Sequence, residues 1–225
     1  MTSFETSKIL GGVGSILVLL GVVPYVNSYG IIMLIGAILI LFGLHGLSDY
    51  YRDQRIFRNA IFGIAAGVIG VVAAIGAGII ALLLNLGNIE ALIYQLYPGW
   101  NGDWATLQNL TPDPNAINAA NFDVSTLIPF VIAVFAVLAI LWLFAMISTF
   151  FIRRSFKAVS EKSSVGTFGT AGLLLLIGAV LIIAFGLGVI LMWIAVLILA
   201  VAFFQLRPAE PVVPVTDYST PATLN

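Results

Sequence analysis

Five apolar runs, at about residues 9–26, 29–47, 60–86, 126–152 and 169–206, contain no Asp, Glu, Lys or Arg. A helix needs roughly 20 apolar residues, with a range of about 17–25, to cross a hydrocarbon core of about 30 Å. Helices satisfy their backbone hydrogen bonds internally, which is why such runs can span lipid. The first four runs supply one span each. As a single helix the last would be roughly 55 Å long, far more than a bilayer core requires. Gly186-Leu187-Gly188 divides it into two spans of minimal length.

The sequence therefore predicts an all-α, polytopic transmembrane bundle over residues 1–206, with six spans at about 9–26, 29–47, 60–86, 126–152, 169–186 and 188–206. An outer loop at 87–125 and a disordered, proline-rich cytoplasmic tail at 207–225 complete the chain. Composition points the same way: 61% of residues are hydrophobic and 8% charged, with a mean hydropathy of +1.12. A soluble domain is about a quarter charged, so lipid has to serve as part of the solvent. No small-residue cleavage pattern follows the first apolar run, so that run is expected to be retained as a span.

Orientation follows from charge. All nine Lys and Arg (Lys8, Arg52, Arg55, Arg58, Arg153, Arg154, Lys157, Lys162 and Arg207) fall in segments that a six-span chain with its N-terminus inside places in the cytoplasm. The connection at about 87–125 has none and carries Glu90, Asp103, Asp113 and Asp123. The Lys/Arg bias sets membrane orientation, so both termini are expected in the cytoplasm and the turns at Pro24–Tyr29 and Gly186–Gly188 outside. A five-span chain would put Arg207 outside.

Small residues recur at helical spacing. Gly14 and Gly21 in the first span, and Gly36 and Gly43 in the second, are seven apart. Gly63, Gly67, Gly70, Ala74 and Gly78 form one stripe, and Gly172, Ala179 and Gly186 another. Lipid tails are as apolar as leucine, so helices associate through close backbone approach, which small residues permit. Gly63, Gly67, Gly70, Gly172 and Gly186 are the expected packing positions, within the bundle or at a dimer face. The fourth span carries Phe130, Phe135, Trp142, Phe144, Phe150 and Phe151 instead, suited to facing lipid or filling grooves.

Three stretches, KILGGVGSILVLLGVVPYV near the start, LHGLSDYYRDQRIFRNA after the second span and RRSFKAVSEKSSVGTFGTAGLLLLIGA late in the chain, carry a family resemblance. Over roughly residues 7–206 the chain resembles the uncharacterised archaeal multi-pass membrane proteins of domain of unknown function 996. The resemblance implies an archaeal plasma membrane and supplies no activity, substrate or catalytic residue.

Few segments outside the spans carry recognition chemistry. Residues 89–97, IEALIYQLY, read as a short amphipathic helix, and Tyr94, Tyr97, Trp100 and Trp104 suit the headgroup layer. Asp113-Pro114 has the pattern of a helix start. Asn109-Leu110-Thr111 is a glycosylation acceptor sequence. On the cytoplasmic side, Arg52, Arg55 and Arg58 form one basic segment and Arg153, Arg154 and Lys157 another. The second continues the fourth span as an amphipathic helix, with Ile152, Phe156 and Val159 at i, i+4 and i+7. These six residues are candidates for contact with anionic lipid or an acidic partner, or serve as topogenic charge alone. His45 is the sole histidine, and the tail contains two overlapping P-x-x-P spacings.

What is missing narrows the function. Proton- and ion-coupled transporters place ionisable groups at mid-membrane, and none lies there. Cysteine is absent, and no metal-ligand cluster or nucleophile–base pair is evident, so no catalytic residue, metal or cofactor is expected. Expected partners are the lipid bilayer and other membrane proteins or further copies of the chain, not nucleic acid. Two functions stay open: a non-enzymatic scaffold or accessory subunit of a membrane complex, which the sequence favours, and a passive channel or transporter for small neutral solutes or lipids.

Overall fold

A computed structural model describes residues 4–21, 30–112, 124–183 and 186–208. The expected turn at 24–29, the helix start at Asp113-Pro114 and most of the proline-rich tail lie outside the described residues. Seven α-helices are described: α1 (Phe4–Leu20), α2 (Ile31–Tyr50), α3 (Gln54–Leu84), α4 (Leu86–Leu96), α5 (Ile128–Ser163), α6 (Gly166–Leu181) and α7 (Leu187–Gln205). Two short 3-10 helices, Trp104–Asn109 and Val124–Leu127, accompany them, and there is no strand among the described residues.

The all-helical expectation holds. Four helices, α2, α3, α5 and α7, are long and apolar enough to cross a membrane. The other two expected spans fall on shorter helices, α1 with 17 residues and α6 with 16. At 1.5 Å per residue both are about 25 Å long, at the lower edge of what a bilayer core needs. Their ends also differ from the expected ones. α1 is already helical at Phe4, ahead of the apolar run, and the polar Ser7 it carries there is fully buried in the bundle. α6 ends at Leu181, ahead of the turn where Gly186 adopts a left-handed φ of +76°.

The six long helices form a ring of antiparallel neighbours. α1 lies along α2, where Gly14 faces Gly36 and Gly43 faces Gly11. α3 lies along α5, where Gly63 meets Ile152 and Gly70 meets Phe144. α5 continues to α6 through Gly172 against Arg153, and α6 to α7 through Gly178 against Gly188 and Met192. α7 closes on α1, with Phe203 and Phe204 seated on Gly11 and Gly12. Lys8 Nζ donates to the carbonyl of Leu206 at 2.9 Å, so the first and last helices are tied at one end. α2 and α3 meet beside the tight turn that joins them, where the His45 and Phe57 rings are 4.5 Å apart.

The core is concentrated at that same end. Phe4, Leu47, Ile56, Phe156, Val159, Phe168, Phe203 and Leu206 are all buried there, in one cluster contributed by six helices. Phe168 sits centrally, 5.1 Å from the Phe203 ring and 6.4 Å from that of Phe156. All nine Lys and Arg are carried on this end, whereas Glu90 and Asp103 lie in α4 and the loop beyond the far end of α3. Toward the far end the packing loosens, and Ile79, Ile80 and Leu82–Leu84 are exposed. Water does not tolerate a continuous apolar belt of that kind, but a lipid solvent does.

Candidate functional site

The tight turns at the packed end bring the two predicted basic segments together. Between α2 and α3 the chain reverses through Tyr51–Asp53, with Arg52 in the left-handed region at φ 50°. Ser48 locks this turn by accepting from the Asp53 amide through its carbonyl, and by donating its hydroxyl to the Asp53 carbonyl, both at 3.0 Å. Asp53 then caps α3, its carboxylate accepting from the Arg55 amide at 3.0 Å. The Arg55 guanidinium grips the same carboxylate through Nε at 3.0 Å and Nη2 at 2.7 Å. That hydrogen bonding holds the Asp53 carboxyl below its ordinary range against the opposing effect of burial. Beside it, burial and then the neighbouring Tyr50 push the Tyr51 phenol up to about 12.

The register of α3 on α5 is pinned here too, since the buried Ser155 hydroxyl donates to the Ile56 carbonyl at 2.6 Å. This places Arg55 and Arg58 across from Arg154 and Lys157. Together with Asn59, Ala158 and Glu161 they line a recess of about 290 Å³. Glu161 stands 3.9 Å from both Arg55 and Lys157, and Arg154 lies over the Phe150 ring at 5.4 Å. Arg52 and Arg153 do not line the recess. Arg52 occupies the turn, and the Arg153 backbone is packed against Gly172.

A second and larger concavity opens on the other flank of the α3–α5 pair. It measures about 820 Å³ and is bounded by Gly67, Gly70 and Val71 of α3, by Phe135, Trp142, Ala145, Ser148 and Thr149 of α5, and by Leu175, Ile182 and Met192 from the α6–α7 hairpin. Its lining is almost wholly apolar, and its few polar groups are largely occupied. Thr149 Oγ1 donates to the Ala145 carbonyl at 2.8 Å. Trp142 Nε1 donates to the Ala179 carbonyl at 3.0 Å, satisfying one of the carbonyls left over in the last turn of α6. Among the described residues no group of three or more His, Asp or Glu side chains is placed to hold a metal ion. The chemistry available to this cleft is dispersion and apolar burial, which suit an uncharged, chain-like or compact molecule.

The expected packing glycines divide. A methyl group at Gly63 would lie 2.7 Å from Ile152 Cγ1 and 2.9 Å from the Ser148 carbonyl, and one at Gly70 would meet the Phe144 side chain. Gly172 has 3.1 Å to Arg153 Cα. Gly67 is looser, 3.4 Å from Ser148 Oγ at the rim of the cleft. Gly186 has no atom within 4 Å and serves instead as the left-handed residue that starts α7. Asn109 is exposed at the end of the 3-10 helix beyond α4. The aromatic loop residues form a stack: Trp100 is buried between Tyr94, at 4.9 Å, and Trp104, at 5.2 Å. Sequence reasoning missed the cleft and the bridging indole of Trp142. An indole N–H in an apolar run has to find an acceptor, which was the available signal.

Comparison with known proteins yields likeness without an assigned activity. Uncharacterized protein MJ1644 of Methanocaldococcus jannaschii is 25% identical over 202 residues, covering 90% of this chain and 92% of that protein. No solved structure matches. Residues 32–197, from α2 to within α7, match the family described as Protein of unknown function (DUF996), and the chain belongs to that family.

Proposed function

We propose that this chain is a non-enzymatic, multi-pass protein of the cell membrane that holds an uncharged apolar molecule, a lipid chain or a neutral solute of similar bulk, in the cleft between α3–α5 and α6–α7. The observation that carries the reading is the cleft itself, about 820 Å³ of apolar space bounded by four helices. Binding pockets of roughly 300–1,000 Å³ are the usual size for small molecules. In this reading all six long helices span the bilayer, with both termini and the basic end in the cytoplasm. Antiparallel pairing of α1 and α6 with full-length neighbours supports that topology despite their shortness. The clustering of every Lys and Arg at one end supports the orientation.

The sequence alone favoured a scaffold for other membrane proteins, and the two readings part on what fills the cleft. Ala145 lines the cleft and is no part of the packed core cluster, so Ala145→Phe would place a ring in it. Protein purified in mild detergent should carry a co-purifying lipid or apolar compound, detectable after solvent extraction, that Ala145→Phe loses while keeping its fold. A stoichiometric protein crosslinked from a photoreactive residue at position 145, with no retained small molecule, would establish the scaffold instead.

A further inference from the structure

We infer that the outer groove between α3 and α5 at the basic end is a binding site for the phosphate of an anionic membrane lipid, with Arg58, Arg154 and Lys157 as its principal ligands. The inference rests on the six-span membrane reading and not on what occupies the cleft, which lies on the opposite flank of the α3–α5 pair.

Charge that only sets topology needs number and location, not convergence. Here four of the nine cations, from two helices about a hundred residues apart in sequence, line one recess of about 290 Å³. Arg55 is largely committed to Asp53, at 2.7 Å. Arg58 and Arg154 have no ion pair among the described residues, and Lys157 reaches Glu161 only at 3.9 Å. The recess therefore keeps positive charge unspent. Asn59 adds a side-chain amide that can donate to a phosphate oxygen.

What lies below the cations selects a lipid over a soluble anion or an acidic protein segment. One helical turn further into the bundle on the same flank, Phe62 is 50% exposed and Phe150 46% exposed. The Phe62 and Phe151 rings are 5.8 Å apart across the groove. Residues four apart share a helix face, so Phe62 lies under Arg58 and Phe150 under Arg154. The groove thus matches a molecule anionic at one end and apolar for the rest of its length. Guanidinium groups suit phosphate because their planar donors can bind two of its oxygens together.

Native mass spectrometry of the full chain in detergent, titrated with phosphatidylglycerol and separately with phosphatidylcholine, tests this. Wild type should retain phosphatidylglycerol preferentially. Arg58→Gln with Arg154→Gln should weaken that retention on the order of tenfold, as expected for removing two cations near a headgroup. Arg52→Asn with Arg153→Gln removes equal charge outside the recess and should leave retention unchanged. Equal loss in both charge pairs would reduce the effect to bulk charge and overturn the site. Displacement by inorganic phosphate at matched concentration would overturn the lipid assignment. No preference between the two lipids would also overturn it and leave the recess to an acidic protein segment.

Discussion

Ser155 and Ile56, 99 residues apart in sequence, are joined by a 2.6 Å hydrogen bond from the serine hydroxyl to the isoleucine carbonyl, and both residues are fully buried. The bond fixes how far α5 has slid along α3, and with it which cations face each other across the groove. The Ile56 carbonyl lies in the first turn of α3, so losing the serine leaves it its place in the helix ladder. Ser155→Ala should therefore cost about 1 kcal/mol, close to the net worth of a buried hydrogen bond. Thermal denaturation in detergent should show a fall in Tm of about 2–4 °C.

Gly14 and Gly36 face each other so closely that a methyl group on either would lie 2.6 Å from the other's carbonyl oxygen. Backbone cannot move aside as a side-chain tip can. Gly14→Leu and Gly36→Leu should each part the α1–α2 hairpin and sharply reduce the yield of monodisperse protein. Gly76→Leu, where no atom lies within 4 Å, should leave yield and Tm near wild type. Size-exclusion profiles of the three variants make the comparison.

The turn at the basic end should respond to pH at both extremes. Asp53 has a lowered pKa in the folded chain, chiefly from its hydrogen bond with Arg55. Its contribution is present above the unfolded carboxylate pKa of about 3.9 and is lost as pH falls through the folded value. Tyr51, pushed up to about 12, has the opposite sign. Its contribution is complete below the unfolded phenol pKa of about 10 and fades as pH rises toward the folded value. Tm measured against pH should thus decline on both sides, with Asp53→Asn flattening the acid limb and Tyr51→Phe the alkaline one. Unchanged limbs in these variants would show that other groups set the pH dependence.

Orientation is open to direct labelling, because the chain has no native cysteine. Lys157→Cys should react with an impermeant maleimide only after the membrane is opened. Thr106→Cys, in the 3-10 helix beyond α4, should react in intact cells. Labelling of position 157 from outside would overturn the proposed topology.

Much of this architecture was legible in the residues because its causes are local. An apolar run of sufficient length becomes a helix wherever it lies, and Lys and Arg mark one end of the bundle by their positions in the chain. Glycine spacing identified Gly63 and Gly70 as contact points, since a stripe on a helix stays a stripe whatever packs against it. The same rule failed to distinguish Gly186, because seven-residue spacing from Ala179 continues past the point where the helix stops. The cleft could not be read at all. It lies where the α3–α5 pair meets the α6–α7 hairpin, and no sequence period encodes how elements that far apart in the chain are placed. The basic recess was half legible: its six candidate residues were apparent, but which of them converge depends on the slide of α5 along α3.

The hydrogen bond from Lys8 to the Leu206 carbonyl, with Phe203 and Phe204 seated on Gly11 and Gly12, also bears on biosynthesis. A nascent chain delivers α1 first and α7 last of the described helices, so Gly11 and Gly12 of α1 lack Phe203 and Phe204 for nearly the whole of translation. Hairpins such as α1–α2 can assemble as they emerge, but the ring cannot shut until α7 has entered the membrane. An arrest or truncation before residue 187 would leave α1 exposed on that face, a ready mark by which a quality-control protease could tell an unfinished molecule from a finished one.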